Sequence, residues 1–297
     1  MLSGFLVLYQ RNTNHLYATI QIFMNNQLAV ISVIYENYLV LKDFLRGFQK
    51  QTNTSFKVFL SDLSTNKQSL PKQSFSCSTI FSQNRGYSHG INIALNLAIQ
   101  EGFHSFCIIN NDTYFKSDFV GNVLKSITHH PYSLIGGKIY YAPGYEFHKT
   151  RYQKKDRGNV LWYAGGSVDW NHALTPHKGV DQIDKGQYGQ FERTDFVNGC
   201  LMLFDKSVID SVGLWDESYF LYFEDADYCE RAKLKGISLY YDPSLVIWHK
   251  NAQSTGGSGS KTHVKYQEKN RLRFALKYAP LKTKLHLLKN FFFNGLR

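Results

Sequence analysis

Hydrophobic positions along this 297-residue chain switch between two periods. Residues 28–35, LAVISVIY, are an apolar run rich in β-branched side chains and predict a buried strand. Residues 38–49 then carry Leu39, Leu41, Phe44, Leu45 and Phe48 at roughly helical spacing. The same order returns downstream: 56–61 (FKVFLS) and the shorter 77–81 read as strands, 88–100 (SHGINIALNLAIQ) as a helix and 104–109 (HSFCII) as a strand. Strands alternating with helices imply an α/β fold with a mostly parallel sheet and right-handed crossovers.

The rhythm breaks over 141–194, where Tyr, Gly, Lys and Trp replace periodic apolar residues, so this segment reads as an insertion or a sheet-edge elaboration. Beyond it, 195–204 (DFVNGCLMLF) predicts a buried strand, 226–235 a helix, and 237–241 with 245–248 extended segments. Gly and Ser dominate 254–260, a helix follows over 262–278, and Pro280 separates it from a final amphipathic stretch. Residues 1–27 stand apart, since LYATIQIFM fits a helix or a strand. The expected organisation is an N-terminal extension (1–27), a main domain (28–278) and a C-terminal helix (279–297).

Composition narrows the class. A hydrophobic content of 43% with 15% aromatic residues supports a substantial core and excludes disorder as the default. The four cysteines are scattered without a CxxC pair, as expected of reduced thiols in a cytosolic protein. A basic, then apolar, leader is missing and no apolar run reaches the roughly 18–20 residues of a membrane span, so the expectation is neither export nor membrane insertion. The formal charge is +11, yet residues 261–297 hold ten Lys or Arg against Glu268 alone, leaving +2 on the first 260 residues. Basicity therefore belongs to the tail. A nucleic-acid-binding protein would share that charge, but no recognition motif accompanies it.

Ligands of parallel α/β sheets bind beyond the carboxyl ends of the strands, which directs attention to the polar residues there. Asp62 follows FKVFLS and suits either a nucleobase N–H or a turn. NRGYSHGIN (84–92) is a Gly-bearing loop opening a helix, a source of N–H groups for an anion. IINNDT (108–113) ends an apolar strand in Asn110, Asn111 and Asp112, similar to a degenerate Asp-x-Asp motif whose hard oxygen ligands hold Mg²⁺ or Mn²⁺. His249, ending LVIWHK, is a second candidate ligand. The Gly/Ser stretch after it suits a linker or a lid over phosphates, with Lys261 and Arg271 near the charge. FLYFEDADYCERAK (220–233) sets Glu224, Asp225 and Asp227 behind aromatic residues. Asp227 and Arg231 have the spacing of a helical ion pair, while Glu224 and Asp225 suit either a helix cap or a general base for an acceptor hydroxyl.

Taken in order, VISVIYEN, LSDLSTN, NRGYSHGIN, IINNDT, WYAGGSVDW, DFVNGCLMLF, VGLWDESYFLYFEDADYCERAK and WHKNAQSTGGSGS with KNRLRF resemble a family 2 glycosyltransferase of GT-A fold, in particular its bacterial rhamnosyltransferase-like branch. The resemblance covers about 28–278 and implies an inverting, metal-dependent transfer from a nucleotide-sugar donor, dTDP-rhamnose first and a UDP-sugar second, to a glycan or lipid-linked glycan. It implies nucleotide contacts from Tyr35, Asp62, Asn84, Gly86 and Asn111, and a metal (Mn²⁺ or Mg²⁺) on Asp112 and His249. Asp225, beside Glu224, is implied as the base. Gly165, Gly166, Asn198, Gly199 and Trp215 fall where the family shapes the donor and acceptor pocket. Three departures are Asn110 at the first Asp of Asp-x-Asp, His89 in place of the small residue usual in the Gly loop, and Glu36 inside the usual Tyr-Asn pair. A sugar-nucleotide-binding protein without turnover is the alternative. In the tail, Leu281, Leu285, Leu288 and Phe292 follow helical spacing among Lys282, Lys284 and Lys289. That helix suits an anionic membrane surface at the inner face of the cell membrane, or packing on the main domain.

Overall fold

The computed structural model describes residues 27–250 and 261–294, so the expectations for most of 1–27 and for the Gly/Ser stretch lie outside the described residues. In chain order the elements are β1 (Leu28–Ile34), α1 (Tyr38–Gln49), β2 (Phe56–Asp62), β3 (Cys77–Phe81), α2 (Tyr87–Gln100), β4 (Ser105–Ile109), β5 (Thr113–Phe115), α3 (Phe119–His129) and β6 (Ser133–Tyr141). They continue as β7 (Leu161–Tyr163), β8 (Glu192–Arg193), β9 (Leu201–Asp205), α4 (Lys206–Val212), α5 (Glu224–Leu234), β10 (Ser238–His249), α6 (Lys261–Tyr278) and α7 (Leu281–Asn294).

All ten strands join one sheet ordered β3-β2-β1-β4-β9-β6-β10-β5, with β7 on β6 and β8 on β10. Its first four strands are parallel, as strand–helix alternation requires. β9 then runs antiparallel between β4 and β6, and β10 returns parallel to β6. Because β1 is covered on both faces, its side chains are apolar almost throughout, and Leu28, Ala29, Val30 and Ile31 are fully buried. On α1, Val40, Leu41, Phe44, Leu45 and Phe48 turn inward. Leu39, counted in that stripe from spacing, is 90% exposed, because the helix turns it away from the sheet.

Three differences from the sequence pattern have physical causes. β6 carries Gly136 and Gly137, which weaken strand periodicity, yet a Cβ at Gly137 would stand 2.5 Å from the Leu245 carbonyl oxygen. Close approach of β10 demands the glycine. The stretch 195–200, expected as strand, is irregular because Asn198 Oδ1 accepts from Cys200 N (2.8 Å) and turns the chain before β9. The two extended segments around 237–248 are one strand, β10, with an irregularity between Asp242 and Val246. The insertion 141–194 carries β7, β8 and a small core of Tyr141, Tyr152 and Val160.

The C-terminal helices fasten to α5 through Asp227, which is fully buried and takes Arg231 Nε (2.8 Å), Lys277 Nζ (2.6 Å) and the Tyr278 hydroxyl (2.8 Å). Asp227→Asn should lower stability by about 2–3 kcal/mol, less than a wholly buried pair because Lys277 is 40% exposed and screened. A urea midpoint matching wild type would show that this network holds nothing.

Candidate active site

Between the carboxyl ends of the strands and α6 lies a cleft of about 840 Å³. Sheet order decides what meets there. Antiparallel pairing sets His249 of β10 opposite Thr113 of β5, which carries the preceding Asp112 to the imidazole, and Lys250 N donates to the Asp112 carbonyl (2.9 Å). Pairing of Ile109 with Leu201 likewise brings Asn110 beside the 198–200 turn, where Asn110 N donates to the Cys200 carbonyl (3.1 Å).

At the far wall, Tyr222 and Phe223 both adopt left-handed backbone (φ 70° and 69°), an unfavourable conformation for two successive aromatic residues. Asn270 of α6, itself buried, holds them by donating from Nδ2 to the Leu221 (2.8 Å) and Tyr222 (3.1 Å) carbonyls. This turn delivers Glu224 and Asp225 into the cleft at the first turn of α5. Asp225 Oδ1 accepts from Ala226 N (2.8 Å), the capping role open from sequence, while Oδ2 crosses to accept from Gly199 N (2.9 Å). Glu224 Oε2 has no partner. Desolvation by burial raises both carboxyls, and the Asp225 charge pushes Glu224 well above the usual range. The two backbone N–H bonds favour the charge on Asp225 and Glu224 Oε2 has no such support, so of the two carboxyls Asp225 gives up its proton the more readily.

Asp112 and His249 are both buried. Asp112 Oδ1 lies 3.1 Å from His249 Nε2, off the line of a hydrogen bond, and neither it nor His249 Nδ1 has a hydrogen-bond partner. Two ligands at ~2.1 Å on a right-angled ion stand roughly 3 Å apart, so this pair fits a hard divalent cation. Among the described residues no group of three His, Cys, Asp or Glu converges, which leaves the remaining positions to water and phosphate oxygens. No Lys or Arg borders the cleft among the described residues. An incoming diphosphate would therefore meet carboxylates without a side-chain cation to offset them.

The other residues singled out from sequence divide into two groups. Tyr35, Asn84, Gly86, Asn111, Asn198 and Gly199 border the cleft, and the buried Asn111 Nδ2 is unpartnered. Asp62 does not border it: its carboxylate is occupied by the Tyr38 hydroxyl (2.6 Å) and Ser64 N (2.9 Å) and organises the loop. Gly165, Gly166 and Trp215 stand behind the wall; a Cβ on Gly166 would meet Phe196 Cδ1 at 2.8 Å, and Trp215 stacks on Tyr228 (5.2 Å). Arg271 donates to the His172 carbonyl (2.8 Å) and meets Glu268, away from the cleft. The Lys261 side chain lies outside the described residues. The NRGYSHGIN loop also differs from the anion cradle expected of it, because Gly86 N donates to Asn84 Oδ1 (3.0 Å) and Tyr87 N to the Phe220 carbonyl (2.8 Å). Gly86, at φ 107°, is needed for contact: a Cβ there would stand 2.6 Å from the Phe220 oxygen.

Tyr87, inside NRGYSHGIN but not singled out there, borders the cleft with His177 and Tyr266. The Tyr87 hydroxyl donates to Asn110 Oδ1 (2.9 Å). Burial pushes His177 down to about 4, so the ring is neutral, with Nδ1 donating to the Trp162 carbonyl (3.0 Å) and Nε2 accepting from Asn198 Nδ2 (3.2 Å).

A mostly parallel sheet of this order, with Asp112, Glu224 and Asp225 on one cleft, is the GT-A fold seen in solved glycosyltransferases. A family model described as glycosyltransferase-like family 2 matches residues 78–274, and the chain belongs to that family. The hexosyltransferase Agl10 of low-salt glycan biosynthesis in Haloferax volcanii is 22% identical over 157 residues, 52% of this chain and 46% of that protein. An N-acetylglucosaminyl-diphospho-decaprenol L-rhamnosyltransferase of Mycobacterium tuberculosis is 38% identical over 61 residues, 20% of each chain. The chain thus matches less than half the length of these relatives. Among solved structures, GalNAc-T7 with UDP, GalNAc and Mn²⁺ superposes with a TM-score of 0.59 at 13% identity, covering 84% of this chain and 47% of that one. The mannosyltransferase PcManGT of Pyrobaculum calidifontis, with GDP-Man and Mn²⁺, gives 0.52 at 14% identity, covering 90% and 70%. At such identity the likeness is one of fold.

Proposed function

We propose that this protein is an inverting glycosyltransferase that moves a hexose, rhamnose first among candidates, from a nucleoside diphosphate to a hydroxyl of a growing surface glycan or lipid-linked glycan. The observation that carries the reading is one cleft holding a backbone-supported carboxyl (Asp225) and a separate unpartnered Asp112–His249 pair. Asp225 takes the proton of the acceptor hydroxyl; the oxygen attacks the anomeric carbon as the bond to the diphosphate breaks on the opposite face. Transfer in one displacement inverts that carbon. Asn111 and Tyr35 hold the nucleotide end, and Asp112 with His249 would hold Mn²⁺ or Mg²⁺. When bound, that ion supplies the positive charge that stabilises the departing diphosphate. The Mn²⁺ in both solved structures, beside UDP and GalNAc in one and GDP-Man in the other, supports this choice, and the rhamnosyltransferase relative supports rhamnose as the sugar.

The expected result with purified full-length protein is Mn²⁺- or Mg²⁺-dependent hydrolysis or transfer of one donor from a panel of dTDP-, UDP- and GDP-sugars. Binding without turnover of any would instead make it a sugar-nucleotide-binding protein.

The tail supports contact with a membrane. No described helix is long and apolar enough to cross one. On α7, Thr283 and Leu287 face inward, with the Thr283 hydroxyl on the Trp170 carbonyl (2.8 Å), while Leu281 and Leu285 are 71% and 59% exposed beside Lys282 and Lys289. Co-sedimentation with phosphatidylglycerol vesicles should be several-fold weaker for the Leu281→Ser, Leu285→Ser double variant. Equal sedimentation would reject α7 as the contact.

A further inference from the structure

Charge outside the tail is gathered in one place. The chain through residue 260 carries only +2, yet residues 148–158 hold Lys149, Arg151, Lys154, Lys155 and Arg157 against Asp156, so everything else in that stretch of 260 residues is net −2. All five cations are exposed, and none is in an ion pair among the described residues. Asp156 turns inward to its own loop, accepting from Gln153 N (3.2 Å). A charge run of this kind is ordinarily a solvated face, but this loop is fixed at several points. The Tyr152 hydroxyl donates to the Asp181 carbonyl (2.8 Å) from within the small core, His148 Nε2 stands 3.7 Å from Asp181 Oδ2, and Trp248 Nε1 donates to the Gly158 carbonyl (2.8 Å).

Its position says what it serves. The loop leaves the end of β6, and Phe147, the residue before it, is 59% exposed and borders the cleft. In the sheet, β6 and β10 lie on the opposite side of β4 and β9 from β1, whose end carries Tyr35 and with it the nucleotide in the proposed reading. An anion at 148–158 is thus across the sheet from the nucleoside, on the side of the cleft that Phe147 and His249 border.

We infer that the 148–158 loop is an electrostatic subsite for an acceptor that bears phosphate close to its receiving hydroxyl. This rests on the glycosyltransferase reading. Arg151 and Arg157 supply forked donors suited to phosphate oxygens, and the three lysines supply point charge. The cleft itself has no described Lys or Arg to do so.

The test compares wild type with a five-site variant, Lys149→Gln, Arg151→Gln, Lys154→Gln, Lys155→Gln and Arg157→Gln, all at exposed positions. Binding of inorganic pyrophosphate, farnesyl diphosphate and farnesol is measured in chelator, which keeps the metal-dependent donor site out of play. Both diphosphates should bind wild type, weaken with added salt, and bind the variant roughly tenfold less, with farnesol unaffected. Tighter binding of farnesyl diphosphate than of pyrophosphate names a lipid carrier as the phosphate's source; equal binding names a soluble acceptor. Unchanged diphosphate binding in the variant overturns the proposal. So does loss confined to phosphatidylglycerol vesicles, which makes the loop a membrane contact, and so does weakened donor binding with metal, which assigns it to the donor. If wild type turns over no donor, the glycosyltransferase reading fails while the diphosphate result stands by itself.

Discussion

Asp225→Asn should lower transfer on the order of 10²- to 10⁴-fold, the range a positioned general base contributes, with donor affinity nearly unchanged. The amide oxygen can still accept from Gly199 N, as Asp225 Oδ2 does now, while the bond from Ala226 N to Oδ1, inside the first turn of α5, is given up. What it removes is the capacity to take a proton. The pH profile offers an independent reading: burial raises the Asp225 carboxyl, so the acid limb of wild-type activity should lie above the usual carboxylate range, with activity lost as pH falls through it. Turnover by Asp225→Asn at the wild-type rate would remove Asp225 from the base role and return this turn to a capped helix.

The second large effect concerns the Asp112–His249 pair. Asp112→Ala, or chelation of divalent ions in wild type, should each lower transfer by about 10³-fold, several kcal/mol of lost charge stabilisation. Nucleoside diphosphate binding should become independent of Mn²⁺ in the variant. Both readouts follow from a cleft without a described side-chain cation: if Asp112 holds the ion, the diphosphate loses that counter-charge and no described Lys or Arg borders the cleft to replace it. Full activity in chelator would mean that the Asp112–His249 contact is an internal pair and that the leaving group is stabilised by other means.

The strands of the parallel half were legible because burial on both faces writes them as β-branched runs, and the polar residues that end them were legible with them. Tyr35, Asn111, Asp112 and His249 do border one cleft. β6 escaped because Gly137 answers to Leu245, more than a hundred residues away, and Gly136 to Tyr163 and Val197, and neither to any local period. Asp62 and Arg271 look alike in sequence to residues that reach a ligand; what decides their place is a partner across the fold, Tyr38 for one and the His172 carbonyl for the other. His177 and Asn270 left no signal for the same reason. A neutral His between Trp162 and Asn198, or an Asn beneath two left-handed aromatic residues, has meaning only after the chain has closed.

That last contact bears on the order in which the protein becomes active. Asn270 is synthesised forty-eight residues after Tyr222, and Lys277 fifty after Asp227. On the ribosome the sheet is complete in sequence at β10 while the turn carrying Glu224 and Asp225 still lacks the group that holds its backbone. Domains form as units during synthesis, N-terminal parts first. In the proposed reading, a nascent chain can therefore bury its strands before the turn that carries its base is held in place.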